Sequence, residues 1–178
     1  MKKMILVATV ATISFSASAQ KFMTRSGKVT FFSSTPIENI EAFNNEAAAA
    51  INTATNDVVF QVPIKSFKFE KQLMQEHFNE SYMESDKFPK AEFKGKMSAV
   101  DLSKDGSYKT TVSGKMTIHG VTKDVQIPGT ITVKGGEMTL NAKFMVATAD
   151  YKINIPSVAA GKIAKQIEVT VNTILKKA

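Results

Sequence analysis

The stretch YKTTVSGKMTIHGVTKDVQIPGTITV, Tyr108 to Val133, constrains this chain more than any other. In its first half Val112, Gly114, Met116 and Ile118 share one face, and Thr111, Ser113, Lys115, Thr117 and His119 share the other. In its second half Val125, Ile127, Gly129, Ile131 and Val133 alternate with Gln126, Pro128, Thr130 and Thr132. Side chains that change face at every residue mark a half-buried strand. Gly120, between the two runs, can take the positive φ that a tight hairpin demands. The stretch therefore reads as a β-hairpin with one face in water and one on something apolar. Its pattern leaves open whether that something is packed core or bound ligand.

The same period recurs along the chain. Phe22 to Ser34 reads as a strand in which Val29 and Phe31 alternate with Lys28 and Thr30. In Val58 to Phe69, Val58, Phe60, Val62 and Ile64 share a face, and Pro63 argues for an edge or bulge. Ala91 to Val100, Glu137 to Ala147 and Gln166 to Leu175 alternate likewise, while the alanine-rich Glu46 to Thr55 fits strand or loop. Thr35-Pro36 predicts a short helical turn with Thr35 as N-cap and Pro36 at the first helical position. Only Glu70 to Met83 changes period. Leu73, Met74, His77, Phe78 and Tyr82 recur there at helical spacing, predicting an amphipathic helix of about three to four turns. Phe88-Pro89 lies beyond its end. Asp150 to Ile163, irregular and carrying Pro156 and Gly161, is long enough to cover a barrel mouth.

Seven or eight antiparallel strands with one inserted helix predict an all-β fold. Closure into a barrel hides the strand edges most fully. An eight-stranded barrel has an interior just wide enough for side chains or one small elongated ligand. The inward positions include Gly95, Ala99, Gly114, Gly129 and Ala142, which suit a cavity or the ordinary small/large alternation of a filled barrel equally well.

The first residues, MKKMILVATVATISFSASAQ, read as a secretory signal peptide over 1–19, with Lys2 and Lys3 ahead of an apolar run and Ala17-Ser18-Ala19 as cleavage site. The run is shorter than the roughly 20 apolar residues of a transmembrane anchor. The expected mature protein, residues 20–178, is periplasmic or secreted. The chain has no cysteine, so neither acylation at a lipobox nor a disulfide is available to it. Lys2 and Lys3 supply two of the formal charges in the net +7. The remaining lysines are scattered over polar strand faces, as a solubilising surface or as an attraction for anionic head groups. Arg25 is the only arginine, which speaks against a nucleic-acid partner.

Catalytic patterns are missing. Two histidines and no cysteine cannot make a histidine-rich metal site. His119 reads as a hydrogen-bonded turn residue and His77 as a packed helix residue. No G-x-S-x-G elbow, phosphate-binding loop or G-x-G-x-x-G turn occurs. The chain is therefore expected to be no enzyme and to need no cofactor. Twelve phenylalanines and nine methionines supply adaptable apolar surface instead. Burying a chain of about ten methylenes yields roughly 8 kcal/mol before association entropy is subtracted.

Two segments resemble one known family. Gly114 to Lys123, GKMTIHGVTK, is similar to the G-x-L-T-I-x-G-V-T-K strand-turn signature of the YceI-like proteins, and Asp86 to Phe93, DKFPKAEF, to the segment that follows their helix. The resemblance covers most of the chain from about Val58 onward. Tryptophan is absent and Pro36 to Asn56 reads as shortened, which suggests a divergent subgroup. The resemblance implies an eight-stranded antiparallel lipocalin-like barrel with one inserted amphipathic helix, an isoprenoid lipid (quinone or polyprenyl) held inside, and no catalysis. Alternation places the expected wall at Val62, Phe93, Met97, Met116, Ile118, Leu140, Phe144 and Val169, with Met74 and Phe78 from the helix. The helix around Leu73 to Tyr82 and the loop around Asp150 to Ile163 are expected to control access. Two other readings stay open: a stress-related structural or interaction barrel with a filled core, and a hydrolase or isomerase using a polar cluster near His119. A homodimer also stays open.

Overall fold

The structure is a computed structural model and describes residues 21–178; the leader over 1–19 and the mature start at Gln20 lie outside the described residues. Eight long strands run antiparallel: β1 (Lys21–Ser34), β2 (Asn39–Asn52), β3 (Asp57–Pro63), β5 (Lys90–Met97), β6 (Gly106–Ile118), β7 (Val121–Lys134), β8 (Glu137–Ala147) and β9 (Gln166–Lys177). Each pairs with its neighbours in that order, and β9 pairs back onto β1, so the sheet closes into a barrel. A two-residue strand β4 (Lys68–Phe69) and the helical segment are inserted between β3 and β5.

One end of the barrel carries the β2–β3, β5–β6 and β7–β8 connections; it is called the lower end. The upper end carries the β1–β2 and β6–β7 turns, the helix, and the long connection from β8 to β9. At the β6–β7 turn His119 and Gly120 have φ of +50° and +73°. Two successive positive φ values match the right-handed strand twist in a two-residue hairpin. Gly135-Gly136 repeats the device between β7 and β8, with φ of +57° and +82°.

Three expectations change. Thr35-Pro36 starts no helix. It is a turn in which Thr35 Oγ1 accepts hydrogen bonds from the N–H groups of Ile37 (3.3 Å) and Glu38 (3.0 Å), and the chain returns directly along β1. The returning strand β2 spans 14 residues, so Pro36 to Asn56 is not shortened. The helix is shorter than Glu70 to Met83: α1 (Gln72–His77) runs on into a π-helical turn (Phe78–Tyr82). Leu73 and His77 are exposed, whereas Met74, Phe78 and Tyr82 are half-buried against the barrel. Phe78, at the start of the π turn, joins a cluster of phenylalanine rings.

Closure needs local adjustments. Irregular pairing of β1 with β2 between Thr24 and Val29 bends that edge. Fully buried Asn44 bridges β2 and β3 where their ladder stops: its Nδ2 donates to the Pro63 carbonyl (2.7 Å), and its Oδ1 accepts from the Glu46 N–H (2.7 Å). Gly95 and Gly114 face each other across β5 and β6. A Cβ on Gly114 would lie 2.3 Å from the Lys94 carbonyl oxygen and 2.5 Å from the Gly95 Cα. These two glycines serve close strand approach, and neither borders the interior space described below.

Candidate functional site

The barrel is solid below and hollow above. In the lower half Phe22, Ile51, Met97, Ile131, Met138 and Leu175 are all buried. Val133, Met138 and Leu175 form one register row across β7, β8 and β9, and Ile131, Leu140 and Thr173 form the next row up. Leu140 is the lowest β8 side chain that meets open space. Above it lies a cavity of about 620 Å³, closed beneath by these rows and bounded above by the helix and the β8–β9 connection.

Nine of the ten expected wall residues border this cavity: Val62, Phe93, Met116, Ile118, Leu140, Phe144 and Val169 from the strands, Met74 and Phe78 from the helical segment. Met97 does not. It faces inward as expected but lies in the packed lower half, 4 % exposed, with its N–H donating to the Asn56 carbonyl near the β2–β3 turn (2.9 Å). Alternation identified the face of Met97, and its depth in the barrel decides the rest.

Phe31, Phe67 and Phe69 also border the cavity and were not among the expected wall residues. Phe31, Phe67, Phe69 and Phe78 form a ring cluster with centroids 5.0 to 5.6 Å apart, including a stacked Phe31–Phe78 pair at 5.4 Å. Such aromatic pairs contribute roughly 0.5–1.5 kcal/mol each beyond area burial. This cluster holds the helical segment across the upper end. Phe67 and Phe69 fall within the strand expected over Val58 to Phe69, but β3 ends at Pro63 and a 3-10 turn over Ile64–Ser66 follows, so alternation does not place them. Ile153, Val158 and Ile163 of the β8–β9 connection also border the cavity, and Ser33 Oγ accepts from the Ala164 N–H (2.9 Å), tying that connection to β1.

Polar groups are few and sit mostly toward the upper end. Glu38 and Lys71 form an ion pair there (3.4 Å), and Lys162 borders the opening as well. His77, expected to be packed, is an exposed residue at this mouth. Glu92 is held below the usual carboxylate range, first by the hydrogen bond from Lys90 and then by that from Gln61 Nε2. Among the described residues no group of three or more His, Cys, Asp or Glu side chains could hold a metal ion.

Comparisons with known proteins bear on this geometry. The family model for the YceI-like domain matches residues 6–175. The chain belongs to the YceI-like family. None of the curated proteins compared with it matches. Among solved structures, a polyisoprenoid-binding domain from Saccharophagus degradans superposes with a TM-score of 0.77 at 11 % identity, over 90 % of this chain and 100 % of that one. BcnA of Burkholderia cenocepacia superposes with a TM-score of 0.68 at 17 % identity, over 83 % and 95 %. A YceI protein of Campylobacter jejuni gives 0.57 at 14 % identity, over 100 % and 99 %. At these identities the likeness is one of fold.

The two segments that carry the YceI-like resemblance meet in space. Phe88 packs edge-on against the His119 ring at 4.6 Å, and a Cβ on Gly120 would lie 2.4 Å from the Phe88 ring. His119 Nε2 lies 2.7 Å from Glu84 Oε2, and its Nδ1 lies 3.2 Å from the Tyr151 carbonyl oxygen. Each ring nitrogen thus has a polar partner, one on either side of the turn. His119 thereby clamps the end of the helical segment and the start of the β8–β9 connection to the β6–β7 turn. It does not border the cavity. Beside it, burial holds the Tyr151 phenol above its usual pKa, with the Asp150 charge adding to the effect.

His119→Asn tests the clamp. Asparagine tolerates the positive φ but cannot reach both partners. The variant is expected to lose about 1–2 kcal/mol, a fall in Tm of roughly 2–8 °C in thermal unfolding. Hydrogen exchange should quicken in residues 148–163. Unchanged exchange there would mean that ring packing, and not the clamp, holds the connection.

Proposed function

We propose that this protein is an exported lipid-binding carrier that holds a polyisoprenoid chain, of a quinone or polyprenyl lipid, in the upper half of its barrel. The observation that carries this reading is the one-ended apolar cavity. Its walls are mainly aliphatic and aromatic side chains, its floor is packed, and its mouth is flanked by the few charged groups. An apolar tail inserted from above gains roughly 0.8 kcal/mol per buried methylene, while a polar head stays near Lys71 and Lys162. The superposition with a polyisoprenoid-binding domain supports that class of ligand, and the signal-peptide pattern read in residues 1–19 of the sequence supports export. The side chains proposed to touch the ligand are the nine wall residues named above.

Titration of the purified protein with all-trans prenols, read by displacement of a fluorescent fatty-acid probe, tests this reading. Saturable displacement at one ligand per chain is expected. A protein that takes up neither probe nor prenol would be a filled scaffold, and its function would then be sought among protein partners.

A further inference from the structure

The highest exposures of large apolar side chains fall at one place. Among the described residues the three most exposed are Val158 (88 %), Ile37 (66 %) and Leu73 (61 %), and the others reach 53 % at most. They belong to three separate elements: the β8–β9 connection, the β1–β2 turn and the start of α1. Leu73 and Val158 border the cavity mouth. Ile37 joins the same rim, because its Cδ1 lies 2.9 Å from where a Cβ on Gly161 would be. The Glu38–Lys71 ion pair links the turn to the helix, and Lys162 stands on the connection beside Val158.

The geometry points to a membrane-docking rim: Ile37, Leu73 and Val158 insert into an anionic bilayer surface while Lys162 meets its phosphates. This rests on the lipid reading of the cavity. Three apolar tips spread around an opening, each on its own loop or helix end, suit a deformable lipid surface better than a flat protein face. Lys162 among them matches the negative charge of phosphate head groups, strengthening binding about fivefold near such a surface, while the charge of Lys71 is offset by Glu38. Docking mouth-down places the cavity against the phase in which an isoprenoid chain resides. The tail then passes between bilayer and barrel without crossing water.

Flotation of the full mature chain with phosphatidylcholine vesicles, with and without phosphatidylglycerol, tests this. Preferential flotation with the anionic vesicles, weakened by added salt, is expected. Ile37→Ser should lower the partition about fivefold and leave prenol displacement in solution unchanged, since Ile37 does not border the cavity. The triple variant Ile37→Ser, Leu73→Ser, Val158→Ser should abolish flotation. A wild-type chain that floats with neither vesicle, or a triple variant that floats equally well, overturns the proposal. Self-association of the wild type that the triple variant abolishes, without flotation, assigns the rim to a second copy and overturns it too. Flotation without prenol uptake would keep the docking rim and remove the cargo reading.

Discussion

Replacing Val169 with tryptophan is expected to weaken prenol binding roughly 50-fold while the barrel stays folded. Val169 faces Phe31 and Phe144 in register on the neighbouring strands, and all three border the cavity. It is half-buried because one side of it meets open space. An indole at this position therefore grows into the void and displaces no packed neighbour. Space for about three methylenes disappears, which at roughly 0.8 kcal/mol each corresponds to the stated loss. Prenol displacement measures it, and near-ultraviolet circular dichroism checks that the barrel is intact. Equal affinity in the folded variant would place the ligand somewhere other than this cavity.

The second large effect concerns stability alone. Gly114→Ala is expected to cost about 3 kcal/mol, at the upper end of overpacking penalties. The added methyl meets backbone atoms of β5 at 2.3 and 2.5 Å, and backbone in a paired ladder cannot move aside as a flexible side chain can. A fall in Tm of roughly 6–12 °C follows for a chain of this size. An unchanged melting temperature would mean that β5 and β6 separate there at little cost. The contrast between the two substitutions is informative: a large residue is accommodated at Val169 and a single methyl is not at Gly114. Both positions alternate inward in the sequence, and only one of them lies beside open space.

That contrast shows where the sequence was legible. Period-two alternation identified the inward face of β5, β6, β7, β8 and β9, because one buried face fixes the strand register. The turn at His119-Gly120 followed from a glycine that accepts positive φ. Alternation carries no information on height along the barrel axis. Met97 and Phe93 read alike, yet one packs into the lower core and the other faces the cavity. Gly95 and Gly114, which suited either cavity or filled interior, prove to serve strand contact. The Thr35-Pro36 signal failed for a related reason. Threonine's hydroxyl accepts backbone N–H groups in a hairpin turn as readily as at a helix start, and pairing with β1 selected the hairpin. The ring cluster joins Phe31 to Phe67, Phe69 and Phe78, and the pairing of Ala42 in β2 with Phe31 on one side and Phe69 on the other brings them together.

The rim and the clamp give the upper end two distinct tasks. His119, Phe88 and the phenylalanine cluster fix the helix and the β8–β9 connection to the barrel, while Ile37, Leu73 and Val158 face outward from them. Covering elements that are anchored on one side and apolar on the other can hold the cavity's shape and still meet a lipid surface.

Native mass spectrometry with lipid extraction, on protein recovered from its exported compartment, tests the central claim most directly. A chain beginning at Gln20 and carrying one co-purifying isoprenoid lipid is the predicted result. A bare chain whose mass stays unchanged after incubation with quinones and polyprenyl phosphates would contradict the account.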